Sequence, residues 1–214
     1  MDKRRKRGNA TRAKILRTAR REFARYGFAG VSMNQLAKRA GVSKSLIYQH
    51  FGSKADLYRS VINSAYAELS SRETVKTFPT DRTVNELLKS IFQDLFDFNA
   101  KNPAFVRLVA WENLNGARWL DPEKARAARQ PGLNKLKDLI ESAKQRGLVR
   151  PDLDVDKFVY LMQAITFVYF SNKHTMRLLT GINFDSPQTR NDFIEFYAAV
   201  LTEGISSKEG ETKR

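Results

Sequence analysis

Apolar residues recur along this chain at helical spacing, and no run alternates with the period of two that a half-buried strand requires. From about Thr11 to Tyr26, Ile15, Ala19 and Phe23 fall on every fourth position with Leu16 beside them, and Gly27 supplies a stop. "SMNQ" places Ser32 and Gln35 at capping-box spacing and opens a short helix bearing Met33, Leu36 and Ala37. Gly41 breaks that helix. Ser43 caps the next, which carries Ile47 and ends near Phe51. Ser53, with Asp56 three residues on, starts a longer helix with Leu57, Val61, Ala65 and Leu69 on one side. Further along, Asn102-Pro103, Asp121-Pro122 and Ser186-Pro187 each set a capping residue before a proline at a first helical position. Gly147 followed by Pro151 ends the helix before it. About nine helices and no strand are expected, an all-α chain with polar, disordered tails at 1–9 and 207–214.

Two short helices separated by "AGVS" describe a helix-turn-helix. Val42, Ile47 and Phe51 have the spacing to pin the second helix down. Lys44, Ser45, Leu46, Tyr48, Gln49 and His50 are then left for an external partner. A helix of this diameter fits the DNA major groove, where Gln pairs with adenine and Lys reaches guanine or phosphate. Tyr48 and His50 can donate to phosphate oxygens, which fixes position without reading sequence. Lys54 begins the next helix, where its charge and the free backbone N–H groups both favour phosphate. The bland alternative is that Tyr48 and His50 only pack between helices. Charge weighs against it: residues 1–54 hold 15 Lys/Arg against Asp2 and Glu22, whereas the rest of the chain is nearly balanced at 23 against 21. That is the footprint of a polyanion-binding module on an electrically ordinary body.

"MNQLAKRAGVSKSLIYQHFGSKADLY" resembles the DNA-binding pattern of the tetracycline-repressor (TetR) family of one-component transcription regulators, over roughly residues 10–58. The resemblance implies a three-helix N-terminal domain whose third helix, Lys44 to His50, enters the major groove. It also implies phosphate contacts from Tyr48, His50 and Lys54, and from the start of the second helix near Ser32 and Met33. One departure matters: many members carry a small glycine or proline and then threonine where this chain has Ser45 and Leu46. The threonine's hydrogen bond is lost, so the operator sequence is not borrowed from a relative. The basic arm "KRRKR", residues 3–7, either threads an adjacent minor groove or adds nonspecific attraction. The expected organisation is a basic arm (1–9), a helix-turn-helix domain (10–54), a helical effector-binding and dimerisation domain (55–206) and a tail (207–214).

Val155 to Phe170 is apolar nearly all round, and the last helix, with Phe193, Ile194, Phe196, Tyr197, Val200 and Leu201, is broad-faced. One subunit of 24.5 kDa is not expected to cover both, so a two-fold dimer through these two helices is expected, on a pseudo-palindromic operator. Regulators of the resembling family usually sense a small molecule in the body. On a helical wheel of "FVRLVAWENLNG", Glu112 falls at the centre of an arc formed by Phe105, Leu108 and Val109. Either it meets a buried Arg or Lys, or it faces a cavity and a polar or cationic ligand. Gln163, Thr166, Phe170 and His174 share a face of the apolar helix, and Trp111, Trp119, Phe92, Phe96 and Phe167 can wall a cavity or form plain core. Phe96, Trp111, Glu112, Gln163, Phe167, Phe170 and His174 are therefore the candidate effector contacts. "LVAWENLNGARWL" and "YFSNKHTMRLL" resemble one C-terminal subgroup of the family without naming an effector.

The absence of cysteine excludes disulfides and thiol chemistry, and only His50 and His174 are histidines. No phosphate loop, zinc motif or nucleophile elbow occurs, so no catalytic residue, metal or cofactor is expected. The nearly apolar run Phe158–Phe170 is shorter than the roughly 17 residues of a membrane span. With no secretory signal either, the expectation is a soluble cytoplasmic regulator, most simply an effector-released repressor. The alternatives are a ligand-independent regulator, an activator, or a nonspecific polyanion binder.

Overall fold

The computed structural model describes residues 3–70 and 83–206; the expected tail at 207–214 lies outside the described residues. Ten helices follow in chain order: α1 (Lys3–Gly30), α2 (Met33–Ala40), α3 (Lys44–Phe51), α4 (Lys54–Ser70), α5 (Val84–Lys101), α6 (Pro103–Leu114), α7 (Pro122–Gln145), α8 (Val155–Ser171), α9 (Lys173–Thr180) and α10 (Pro187–Ile205). Among the described residues the only extended pairing is an isolated bridge between Val149 and Ser206. The three Pro-led starts fall where the sequence places them, at α6, α7 and α10. Two expectations change. Helix α1 begins at Lys3, so residues 3–9 are helical rather than an irregular arm; Lys and Arg are good helix formers, and Gly8 and Asn9 alone oppose them. The tenth helix is α9, a separate element after a break at Asn172 (φ −103°, ψ 1°).

The chain divides into two compact units. Unit 1 comprises residues 1–69 with 104–129, and unit 2 comprises 70–103 with 130–214. In unit 1, Ile15, Ala19 and Phe23 of α1, Leu36 and Ala40 of α2, Ile47 of α3, and Leu57, Val61 and Ala65 of α4 are all buried. These are the positions that helical spacing selects; the side chain of Leu69 lies outside the described residues. The continuous helix α1 hides a break at Gly27 (φ 66°, ψ −180°), a conformation open essentially to glycine alone. Trp111 of α6 lies against that glycine, its ring atoms 3.0–3.2 Å from where a Cβ would stand.

In unit 2, α5 packs against α8 and α10. Phe96 sits among Tyr169 (4.8 Å between ring centroids), Phe170 (5.5 Å) and Tyr197 (6.3 Å). Tyr169 donates from its hydroxyl to the Phe184 carbonyl at 2.9 Å, and burial pushes its phenol up to about 12. Helix α5 opens with a complete capping box from Thr83 and Glu86. In a single chain α8 is not buried on every side: Tyr160 (75% exposed), Leu161 and Val168 face outward, as do Phe196 (60% exposed) and Val200 of α10. Helix α9 buries none of its residues and leaves Leu178 and Leu179 at the surface.

Candidate nucleic-acid interface

Helix α2 packs against α1 and α3 within unit 1. Gly41 takes the left-handed conformation (φ 61°, ψ 42°) that closes α2, and the chain reverses through Val42. The Ser43 hydroxyl oxygen then accepts from the Leu46 N–H at 3.1 Å and starts α3. Ile47 and Phe51 anchor α3 in the core, which leaves Lys44, Ser45, Tyr48 and Gln49 exposed. The Lys44 amine lies 5.9 Å from the Tyr48 ring centroid, so cation and phenol share one edge of the helix. His50 is half-buried beside Phe51, and Leu46 is half-buried too.

The N-terminal ends of the neighbouring helices flank this surface in sequence. At α2 the expected capping box does not form: Ser32 has capping backbone (φ −84°, ψ 128°) but no side-chain bond, and its hydroxyl stays exposed. The Met33 side chain is buried, so only its backbone N–H is left to meet a phosphate. At α4 the Ser53 oxygen accepts from the Asp56 N–H at 3.0 Å, while the Ser53 hydroxyl donates to the Asp56 carboxylate at 2.5 Å. Half-buried Lys54 holds its amine 4.7 Å from the Phe28 ring centroid, and burial lowers its pKa. Two cations of α1, exposed beside the helix-turn-helix, were not singled out by reading residues 32–54. The Arg12 guanidinium lies 4.8 Å from the Phe51 ring centroid, and the Lys14 amine lies 3.2 Å from where a Cβ on Gly41 would stand. The basic stripe along α1 was the signal for them. Arg39 of α2 pairs instead with Glu22 of α1, and its charge is reinforced first by that bond and then by Tyr26.

Residues 15–61 match "Bacterial regulatory proteins, tetR family", and residues 85–200, more than half of the chain, match "Tetracyclin repressor-like, C-terminal domain". The chain belongs to the tetracycline-repressor family. Like other TetR-family members, it is a DNA-binding regulator of transcription. It is 26% identical over 196 residues to the HTH-type transcriptional repressor NicS of Pseudomonas putida, covering 91% of this chain and 92% of that protein. It is 28% identical over 173 residues to the HTH-type transcriptional repressor SCO4008 of Streptomyces coelicolor, covering 80% of this chain and 84% of the relative. A TetR-family regulatory protein from Rhodococcus RHA1 shares the fold, with a TM-score of 0.70 at 18% identity over 92% of this chain and 97% of that one.

The seven effector candidates of this TetR-family chain are divided between the two units. Phe96, Gln163, Phe167 and Phe170 belong to unit 2, where Phe96 and Phe170 meet in the aromatic core. His174 is not on the α8 face, because α8 ends at Ser171; it is exposed on α9. Trp111 and Glu112 belong to unit 1. Glu112 is buried with Phe105 and Leu108 as the wheel requires, yet neither carboxylate oxygen has a hydrogen-bond partner among the described residues. Among the described residues no Arg or Lys pairs with it. No helix among the described residues is long and apolar enough to cross a membrane.

Proposed function

We propose that the protein is a cytoplasmic, homodimeric repressor that holds a pseudo-palindromic operator and releases it when a small molecule binds the body. The observation that carries this reading is the α3 surface: Lys44, Ser45, Tyr48 and Gln49 exposed on a helix fixed by Ile47 and Phe51. Lys44 and Gln49 are assigned to base edges, with Ser45 and Leu46 facing the groove. Tyr48, His50, Lys54, Ser32 and the Met33 N–H are assigned to phosphates, joined by Arg12 and Lys14. The helix-turn-helix domain is taken as residues 10–54 and the effector and dimerisation body as 55–206. Repressor activity is supported by NicS and SCO4008, both transcriptional repressors.

Dimerisation is supported by the apolar strip that Tyr160, Leu161 and Val168 of α8 and Phe196 and Val200 of α10 expose in one chain. An exposed patch of this kind marks an interface, and a two-fold partner would bring two α3 helices to two half-sites. Release requires the effector to favour a state in which those helices no longer match the operator. Of the seven effector candidates, Glu112 is supported by a buried carboxylate with no cationic partner among the described residues.

The test is fluorescence anisotropy on a duplex from upstream of the protein's own gene, with excess unrelated DNA, for the native chain and Tyr48→Ala. Binding that survives competitor and falls about tenfold or more in the variant, the scale of one charge-assisted contact, is expected. Tyr48 is 37% exposed, so the variant should melt normally. Binding that competitor abolishes, or that ignores Tyr48, would sink the sequence-specific reading.

A further inference from the structure

Among the described residues, the buried side-chain atoms without a hydrogen-bond partner are all oxygen acceptors, and all lie in unit 1. They are the two carboxylate oxygens of Glu112 on α6 and Oδ1 of Asn63 on α4. Glu112 is 2% exposed. An ionised carboxylate so enclosed is strongly disfavoured without a cation or several donors. Among the described residues no Arg or Lys pairs with it, and its polar neighbour is the Tyr58 phenol. Arg129 of α7, in the same unit, acts on Tyr66, and burial works against its charge. The Tyr58 phenol, fully buried, is raised first by burial, then by its hydrogen-bonding approach to Glu112 and by that carboxylate's charge, so a neutral phenol rather than a cation faces the carboxylate. Tyr66 is raised by burial, lowered by Arg129 and raised again by Glu112.

The surroundings narrow what could fill this need. Tyr66 stands edge-on to Phe105 at 5.6 Å, and Tyr58 packs edge-on to Phe23 at 4.8 Å. Aromatic rings around a buried anion suit an organic cation, which their faces also attract. Asn63 lies one turn before Tyr66 on α4, and its Oδ1 is a further acceptor for an N–H group. One carboxylate and one amide are too few oxygens for calcium or magnesium, which take about six or more ligands.

We propose that the α4–α6 layer of unit 1 binds a small organic cation carrying N–H groups, a primary ammonium or protonated nitrogen base, with Glu112 as its counter-ion. For its consequence at DNA, the site rests on the effector-released reading above. Helix α4 carries Tyr58 and Tyr66 and begins directly after α3, so a ligand gripping it acts on the element that follows the recognition helix.

The experiment is isothermal titration of the full-length chain with butylammonium, benzylammonium and phenethylammonium, each beside its neutral alcohol and its carboxylate isostere. An ammonium is expected to bind while its isosteres do not, and Glu112→Gln should weaken it by about tenfold or more. Without ligand, Glu112→Gln should melt no lower than wild type, because no Arg or Lys among the described residues depends on the carboxylate. Three results overturn the site: wild type that does not prefer any ammonium over its isosteres, binding indifferent to Glu112→Gln, or a variant that melts lower than wild type. Operator anisotropy separates the two readings. A cation that binds without loosening the duplex overturns the effector role alone. Release by neutral or anionic compounds only, with Glu112→Gln unaffected, overturns the cation site and leaves the effector-released repressor intact.

Discussion

Gly27 shows how much one residue can decide. Its backbone (φ 66°, ψ −180°) lies in a region that costs other residues on the order of 1–3 kcal/mol, and Trp111 occupies the space of a Cβ. Gly27→Ala should therefore destabilise the protein by about 2 kcal/mol or more in denaturant unfolding. Trp111→Leu in the same chain should recover only the steric part of that loss. A Gly27→Ala variant as stable as wild type would show that the α1 break tolerates ordinary backbone. The stop was legible, since a glycine followed a regular apolar stripe. The indole against it was not, because the partner lies far along the chain and no local pattern announces it. Ser32 shows the opposite failure: its spacing to Gln35 permits a capping box, but spacing does not dictate a rotamer, and the hydroxyl stays free. Glu112 was legible as buried, from the arc of Phe105 and Leu108, but its lack of a cationic partner among the described residues depends on three-dimensional neighbours.

At the scale of elements, α4 carries Lys54, a proposed phosphate contact, and Tyr58 and Tyr66 of the proposed cation site, and Ser53 sets its start. Ser53→Ala removes the bond to the Asp56 N–H and should cost about 1 kcal/mol, read as a lower melting temperature. Asp56 provides a finer gauge. The Ser53 hydroxyl, before Arg59, holds its carboxyl below the ordinary 3.8. A depressed folded pKa gives a contribution fully present above pH 3.8 that fades as pH falls through the folded value. Carboxyl NMR titration should show Asp56 titrating below the ordinary range in wild type and moving up in Ser53→Ala; an unchanged value would mean that the Arg59 charge sets it instead. Element boundaries were legible wherever proline or glycine marked them, as at α6, α7 and α10. The α8–α9 break was missed because Ser171-Asn172 carries no such breaker, and the continued apolar spacing drew His174 onto the wrong helix. Likewise the arm before Thr11 reads as polar and irregular, although runs of Lys and Arg sustain a helix well.

For the whole molecule, the concentration of basic residues before residue 55 makes salt the sharpest lever on DNA binding. If the dimer neutralises about 6–10 phosphates, operator affinity should fall by about 10³–10⁵ between 50 and 200 mM salt. A shallow dependence would mean that few of these cations reach the backbone. Assembly has its own test. Phe196→Glu sets a charge into the α8–α10 strip, where the residue is 60% exposed in a single chain. Sedimentation should then show monomers that keep their helicity, and operator binding should weaken because one α3 no longer brings its twin. Persistent dimers would place the interface elsewhere. The grouping of α6 with α1–α4 has a spectroscopic consequence. The chain's two tryptophans, Trp111 and Trp119, both lie in unit 1 and none lies in unit 2. Indole emission therefore reports on the DNA-facing unit alone, whereas far-ultraviolet dichroism sums over all the helices. Superimposable melting curves from the two signals would mean that the units unfold together. An earlier indole transition would make unit 1 a separately melting body, and its unfolding could be followed in the intact protein without any added label.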